Sequence, residues 1–238
     1  MVIHPNKTKA MVITTRQKHQ LVNPKLTLSI GNTIIEQIKD HKMLGIYLDS
    51  EFNWHTQINN LTKKISRNVF LLSKLRKFVD TEHLKLFFDA HIMSHFNYSS
   101  TIWDGCCNDI FININRLHRR AVRLISPLQN VSTETKMKNL KILPLAETFK
   151  HNNATLIHKI YYDKSPHYLK QLLVKAPERY RSRNLLPPLP RIDIAKTSLS
   201  FSGSLIWNNL PPHLKGNMST RSFRYKLHDY LSESITIT

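Results

Sequence analysis

Between Trp54 and Val79 the apolar residues step by three or four: Trp54, Ile58, Leu61, Ile65, Val69, Leu72, Leu75 and Val79. At about 100° per residue they fall on one stripe, which predicts a long amphipathic helix. Ahead of it, MLGIYLD (43–49) reads as a strand and SEFN as a polar turn, with Asn53 as the expected N-cap. Two more helices follow. One is capped by Thr81 and faces inward with Leu84, Phe87, Phe88, Ile92 and Phe96. A Tyr98/Trp103 link leads to the other, lined by Ile110, Ile114, Leu117, Ala121 and Leu124.

The pattern before residue 53 has period two instead. AMVITT (10–15), KLTLSI (25–30), TIIEQI (33–38) and MLGIYL (43–48) are short, β-branched and bounded by turn residues. Gly31-Asn32 has glycine first and predicts a type II′ hairpin turn. Leu26, Leu28 and Ile30 alternate with Thr27 and Ser29, so one face is expected to be covered. After residue 128, Ser132 or Thr133 caps a short helix ending near Leu143-Pro144, and a second helix runs from Leu145 to about Tyr162. APERYRSRNLLPPLPR (176–191) reads as an extended basic linker. A last helix starts at Ser219, with Phe223, Leu227 and Leu231 inward. The expected class is α+β, mostly α: a small antiparallel β segment over 1–52, a three-helix bundle over 53–128, and a mixed helical region over 129–238.

Charge changes this picture. The 238 residues carry 35 Lys and Arg against 16 Asp and Glu, a net +19. Three segments, 1–52, 53–128 and 129–238, hold +3, +6 and +10. The folded body itself is therefore basic, and nucleic acid is the usual partner of such a balance. No acidic residue occurs from His55 to Val79, and Lys63, Arg67, Lys74 and Lys77 lie away from the apolar stripe. Solvated lysines are the ordinary reading of such a face; a polyanion partner is the sharper one. On the third helix Arg116, Arg119, Arg120 and Arg123 converge within roughly 100°. Arginine suits bidentate phosphate contact, with pairing to an Asp or Glu of the same chain as the alternative.

Other chemistry finds little support. Cys106 and Cys107 are adjacent and alone, without zinc-site spacing. That usage reads as intracellular, in nucleus or cytoplasm, and no apolar run is long enough to predict a membrane span. His91 and His95 stand at i, i+4 without the glutamate of an HExxH motif. Trp54, Trp103 and Trp207 lie in apolar patterns and are expected in the core. No GxSxG, P-loop or GxGxxG motif is present.

Five stretches, HPNKTKAMVI, KMLGIYLDSEFNWHTQINNLTKKI, HFNYSSTIW, LHRRAVRLI and SGSLIWNNLPPHLKGNMSTRSFRYKL, resemble in order the carboxy-terminal part of a non-LTR retrotransposon (LINE-type, jockey- or CR1-like) reverse transcriptase. The resemblance implies that residues 1–52 are a palm edge, 53–128 a thumb and 129–238 a C-terminal extension. It places Lys7 at the motif-D lysine proposed to protonate the leaving group, and Leu44 and Gly45 in the primer-grip hairpin. It implies a template–primer duplex or single-stranded RNA or DNA as partner, together with a fingers/palm portion, and no membrane. The family's Mg²⁺ is held by palm aspartates in a Tyr/Phe-x-Asp-Asp turn. No Asp-Asp dipeptide occurs here. The expectation is a polymerase-derived chain with no cofactor of its own and no catalysis alone. The alternative is a stand-alone basic helical DNA- or RNA-binding or adaptor protein.

Overall fold

The computed structural model describes residues 4, 7–15, 17–18, 21, 27–105, 108–177 and 183–235. The architecture is α+β and mostly α. Eight short strands among these residues, β1 Lys9–Ala10, β2 Ser29–Ile30, β3 Thr33–Ile34, β4 Glu36–Gln37, β5 Asp40–Met43, β6 Ile46–Asp49, β7 Val174–Lys175 and β8 Leu185–Leu186, form four two-stranded pairs. The helices are α1 His55–Leu75, α2 Thr81–Phe88, α3 Ser94–Asn97, α4 Ser100–Trp103, α5 Asn108–Ile125, α6 Thr133–Leu140, α7 Leu145–Tyr161, α8 Asp193–Lys196, α9 Ser204–Asn208 and α10 Thr220–Glu233. A π-helical turn, Asp89–Met93, joins α2 to α3.

The β segment is thinner than the alternation predicts, and only partly antiparallel. β2–β3 and β5–β6 are antiparallel, but β1 pairs with β4 in parallel, Lys9 opposite Glu36. Of AMVITT only Ala10 is in a strand; Thr14 instead donates to the Ser50 carbonyl at 3.0 Å. TIIEQI is broken at Ile35, whose N–H donates to Leu28 and whose side chain is buried. Leu28 is exposed and Ile30 only half-buried, so the face expected to be covered on β2 is only partly so; Leu26 lies outside the described residues. Gly31 has φ +58° while Asn32 does not share the positive φ, as a II′ turn requires.

MLG is not the start of one strand but the tip of a hairpin. Met43 pairs with Ile46 across Leu44 (φ 49°) and Gly45 (φ 87°). Two consecutive positive φ values make this a type I′ turn, which matches strand twist and ordinarily favours Asn or Gly over leucine.

The chain passes from β6 into α1 through a tight corner. Phe52 and Trp54 both take positive φ, a costly conformation for large side chains. Buried Asp49 holds them there: its carboxylate accepts from the backbone N–H of Glu51, Asn53 and Trp54. The N-cap residue of α1 is thus Trp54, one position after the expected Asn53, whose side chain accepts from His55 instead. Likewise Asp80, and not Thr81, caps α2 by accepting from His83. Of the two candidates for α6, Ser132 is the cap and Thr133 the first helical residue, and α10 starts where expected, with Ser219 as its N-cap.

Two hydrophobic cores share α7. The first gathers Ile58, Leu61, Ile65, Val69 and Leu72 of α1, then Leu84, Phe88, Ile92 and Phe96, then Ile114, Ala121 and Val122 of α5. Each large side chain buried here contributes roughly 1.5–3 kcal/mol. Val79 lies outside α1 and is exposed, since the helix ends at Leu75. Met137, Leu140, Ile142, Leu145 and Phe149 belong to this same core, so the boundary expected at 128/129 does not separate packing units. The second core joins Ala154 and Ile157 of α7 to Leu185, Trp207, Leu214, Phe223, Leu227 and Leu231.

The segment read as a linker is anchored. Leu185 exchanges backbone hydrogen bonds with the Asn208 side chain, and Trp207 donates to the Arg183 carbonyl at 2.6 Å. Residues 178–182 lie outside the described part. All three tryptophans are buried. Among the described residues no helix is long and apolar enough to cross a membrane.

Candidate nucleic-acid interface

The basic face of α1 follows from the same periodicity as its buried stripe. With Ile58, Ile65 and Leu72 inward, Lys63, Arg67 and Lys74 project outward, and all three are exposed. Phe70 shares that side within about 60° by helical angle. It is 58% exposed, with the Lys74 ammonium 5.3 Å from its ring centre, a cation–π contact. Lys77 is exposed in the turn after α1. Phe70 was not singled out from sequence; its position off the apolar stripe was the available signal. Lys64 belongs elsewhere: it faces His95, where burial first and Lys64 second push the imidazole pKa down.

α5 packs against α1 through its apolar side. Arg116, Arg120 and Arg123 are exposed on its far side. Arg119 is only half-exposed, because its guanidinium donates to the Glu134 carboxylate of α6 at 2.5 Å. That bond, above all, holds the Glu134 carboxyl below its ordinary pKa. Arg123 turns toward the same helix, 3.4 Å from the Thr133 hydroxyl. The four arginines therefore do not form one free face: Arg119 is ion-paired and Arg123 hydrogen-bonded within the chain, and Arg116 and Arg120 remain open.

The β5–β6 tip is fastened to the helices from two sides. Gln57 of α1 accepts from the Tyr47 N–H at 3.1 Å, and the Tyr98 hydroxyl donates to the Leu44 carbonyl at 2.5 Å. Leu44 itself is 86% exposed. An apolar side chain is thus presented to solvent on an anchored turn. Asp49 and Tyr98, which set this tip and the start of α1, were not assigned such roles from sequence. An acidic residue ending a strand four or five positions before a helix was the visible sign of the first.

Lys7 is exposed, with its N–H bonded to the His4 carbonyl. The structure does not bring it to the helical faces through any described contact. His91 is exposed and packs at a tilt against Phe87, with ring centres 4.6 Å apart. Among the described residues no group of three His, Cys, Asp or Glu could hold a metal; Cys106 and Cys107 lie outside them. Compared with family models, with curated proteins and with solved structures, the chain finds no match.

Proposed function

We propose that this chain binds a template–primer type duplex, as the primer-grip and thumb part of a non-LTR reverse transcriptase, without catalysing nucleotide transfer alone. The observation that carries the reading is the acid-free α1, which buries one stripe and exposes Lys63, Arg67 and Lys74 opposite it. Arg116, Arg120 and Arg123 add a second set of exposed cations on the helix packed against α1. Cations on rigid helices suit phosphates, which position a duplex without reading its sequence. In this reading Leu44, exposed on its fastened turn, contacts a strand end. Lys7 would act only beside a complete palm.

The test is a salt titration by fluorescence anisotropy on two unrelated duplexes. With about five phosphates neutralised, log K falls against log salt with a slope of about −4 to −5. Both duplexes should bind equally, and Lys7→Ala should leave affinity unchanged. Strong preference for one duplex would instead favour a sequence-reading helical DNA-binding protein.

A further inference from the structure

We propose that the cleft where α2, α7 and α10 meet binds a phosphate monoester on a nucleoside-sized body. The site is separate from the basic faces of α1 and α5. The cleft is open to solvent on one side and holds about 280 Å3, close to the lower end for small-ligand sites, roughly 300 Å3. A duplex cannot enter such a space, but a single nucleotide can.

Its lining is cationic from three directions. Lys85 comes from α2, Lys141 from the turn after α6, and Arg224 from α10. Lys85 leans on Asp89 at 3.9 Å, while no carboxylate among the described residues stands within 4 Å of Lys141 or Arg224. Asp89 is the one acid of the lining, and burial raises its pKa. An arginine fork and a lysine point charge together match a dianionic phosphate.

The cleft is also built firmly. Lys141 sits at φ 53°, held by the backbone bonds that close α6, Lys141 N–H to Lys138 and Ile142 N–H to Met137. His151 is buried, and its Nε2 lies 3.0 Å from the Arg224 carbonyl, where it must donate. That bond pins α10 to α7 beside the cleft. Met93 and Ile142 give an apolar wall for a base or sugar, while the Asn152 amide donates to Asn97 Oδ1 and Ser100 Oγ, both at 3.0 Å, which fixes the Asn97 side chain at the edge of the cleft.

The test is isothermal titration of the full chain with AMP and with adenosine. AMP should bind and adenosine should bind at least tenfold more weakly, since the charged contacts are lost. The Lys141→Gln/Arg224→Gln pair should weaken AMP by roughly 30-fold or more, while the duplex salt slope stays that of the unaltered chain. Should the pair melt early, Arg224→Lys keeps the charge without the fork and should weaken AMP by about tenfold. A 5′-phosphorylated dinucleotide that binds as AMP does assigns the site to strand ends; one no better than its 5′-hydroxyl form assigns it to the free mononucleotide. Equal binding of AMP and adenosine, or unaltered AMP affinity in a folded variant, overturns the proposal. Because duplex binding is read separately, its failure leaves this result intact, and the reverse holds.

Discussion

The Tyr98 hydroxyl donates to the Leu44 carbonyl at 2.5 Å, across 54 positions of sequence, and so ties the β5–β6 tip to the end of α3. Tyr98 stands where that helix stops, with Ser99 after it in the left-handed region, and its own carbonyl accepts from the buried Trp103 indole at 3.0 Å. The hairpin tip is thereby linked through one side chain to the centre of the first core. A turn that would otherwise project freely is held against the helices.

Removing that hydroxyl tests the link. Tyr98→Phe keeps the ring and leaves the Leu44 carbonyl to water, so the expected loss of stability is about 1 kcal/mol. Hydrogen exchange of residues 40–49 should speed up more than that of α5. Equal acceleration in both would show that the bond is not what holds the hairpin.

The two positive-φ glycines separate backbone cost from packing cost. A Cβ at Gly31 meets nothing within 4 Å, whereas one at Gly45 meets the Tyr98 ring at 3.4 Å, an ordinary contact. Both Gly→Ala changes should therefore cost mainly the left-handed conformation, about 1–2 kcal/mol each. Urea denaturation of the two variants measures this. A Gly45 cost far above that of Gly31 would mean that the ring cannot give way.

Acid should loosen both cores. His118 is fully buried between the rings of Phe88 and Phe96, and neither of its nitrogens has a hydrogen-bond partner. Burial first, then Arg119, pushes its pKa down to about 4. His158 stacks on Phe223 at 4.1 Å, and burial first, then Lys164, pushes it down to about 4 as well. For a base with a depressed folded pKa, the unfolded chain binds the proton first. The stability these neutral rings permit is intact above the ordinary pKa of 6.5 and falls as pH drops from there toward 4. Each ring should contribute about 1.4 kcal/mol per pH unit within that window. His118→Leu should flatten the acid limb of a denaturation series by about that slope. An unaltered limb would remove His118 as a cause.

The helices were legible because burial repeats every three or four residues and because serine at an N-cap has a visible chemical reason, as at Ser132 and Ser219. Local periodicity carries no information on side-chain pairing across elements. Nothing in LHRRAVRLI shows that Arg119 meets Glu134, which lies on another helix beyond a turn. Asp49 shows the same limit more locally: its carboxylate serves three backbone N–H groups only once the corner has formed. The short strands were over-read because β-branched runs mark strand preference, whereas ladder length depends on a partner.

The Arg119–Glu134 pair makes the sharpest distinction between a solvated and a binding face. Glu134 holds one guanidinium and places a carboxylate beside the exposed arginines of α5. Glu134→Gln removes that charge and releases Arg119 while keeping the shape of the side chain. If α5 meets phosphates, duplex affinity should rise and the salt slope should steepen by about 0.9, one further phosphate contact. Arg116→Gln with Arg120→Gln should shift the slope the other way by about 2, weakening unrelated duplexes alike. The pair itself is partly exposed, so its loss should cost at most about 1 kcal/mol of fold stability. Anisotropy titrations of these variants, with thermal melts alongside, read both effects. A slope unmoved by either change would leave α5 as a solvated surface and confine duplex binding to Lys63, Arg67 and Lys74 of α1.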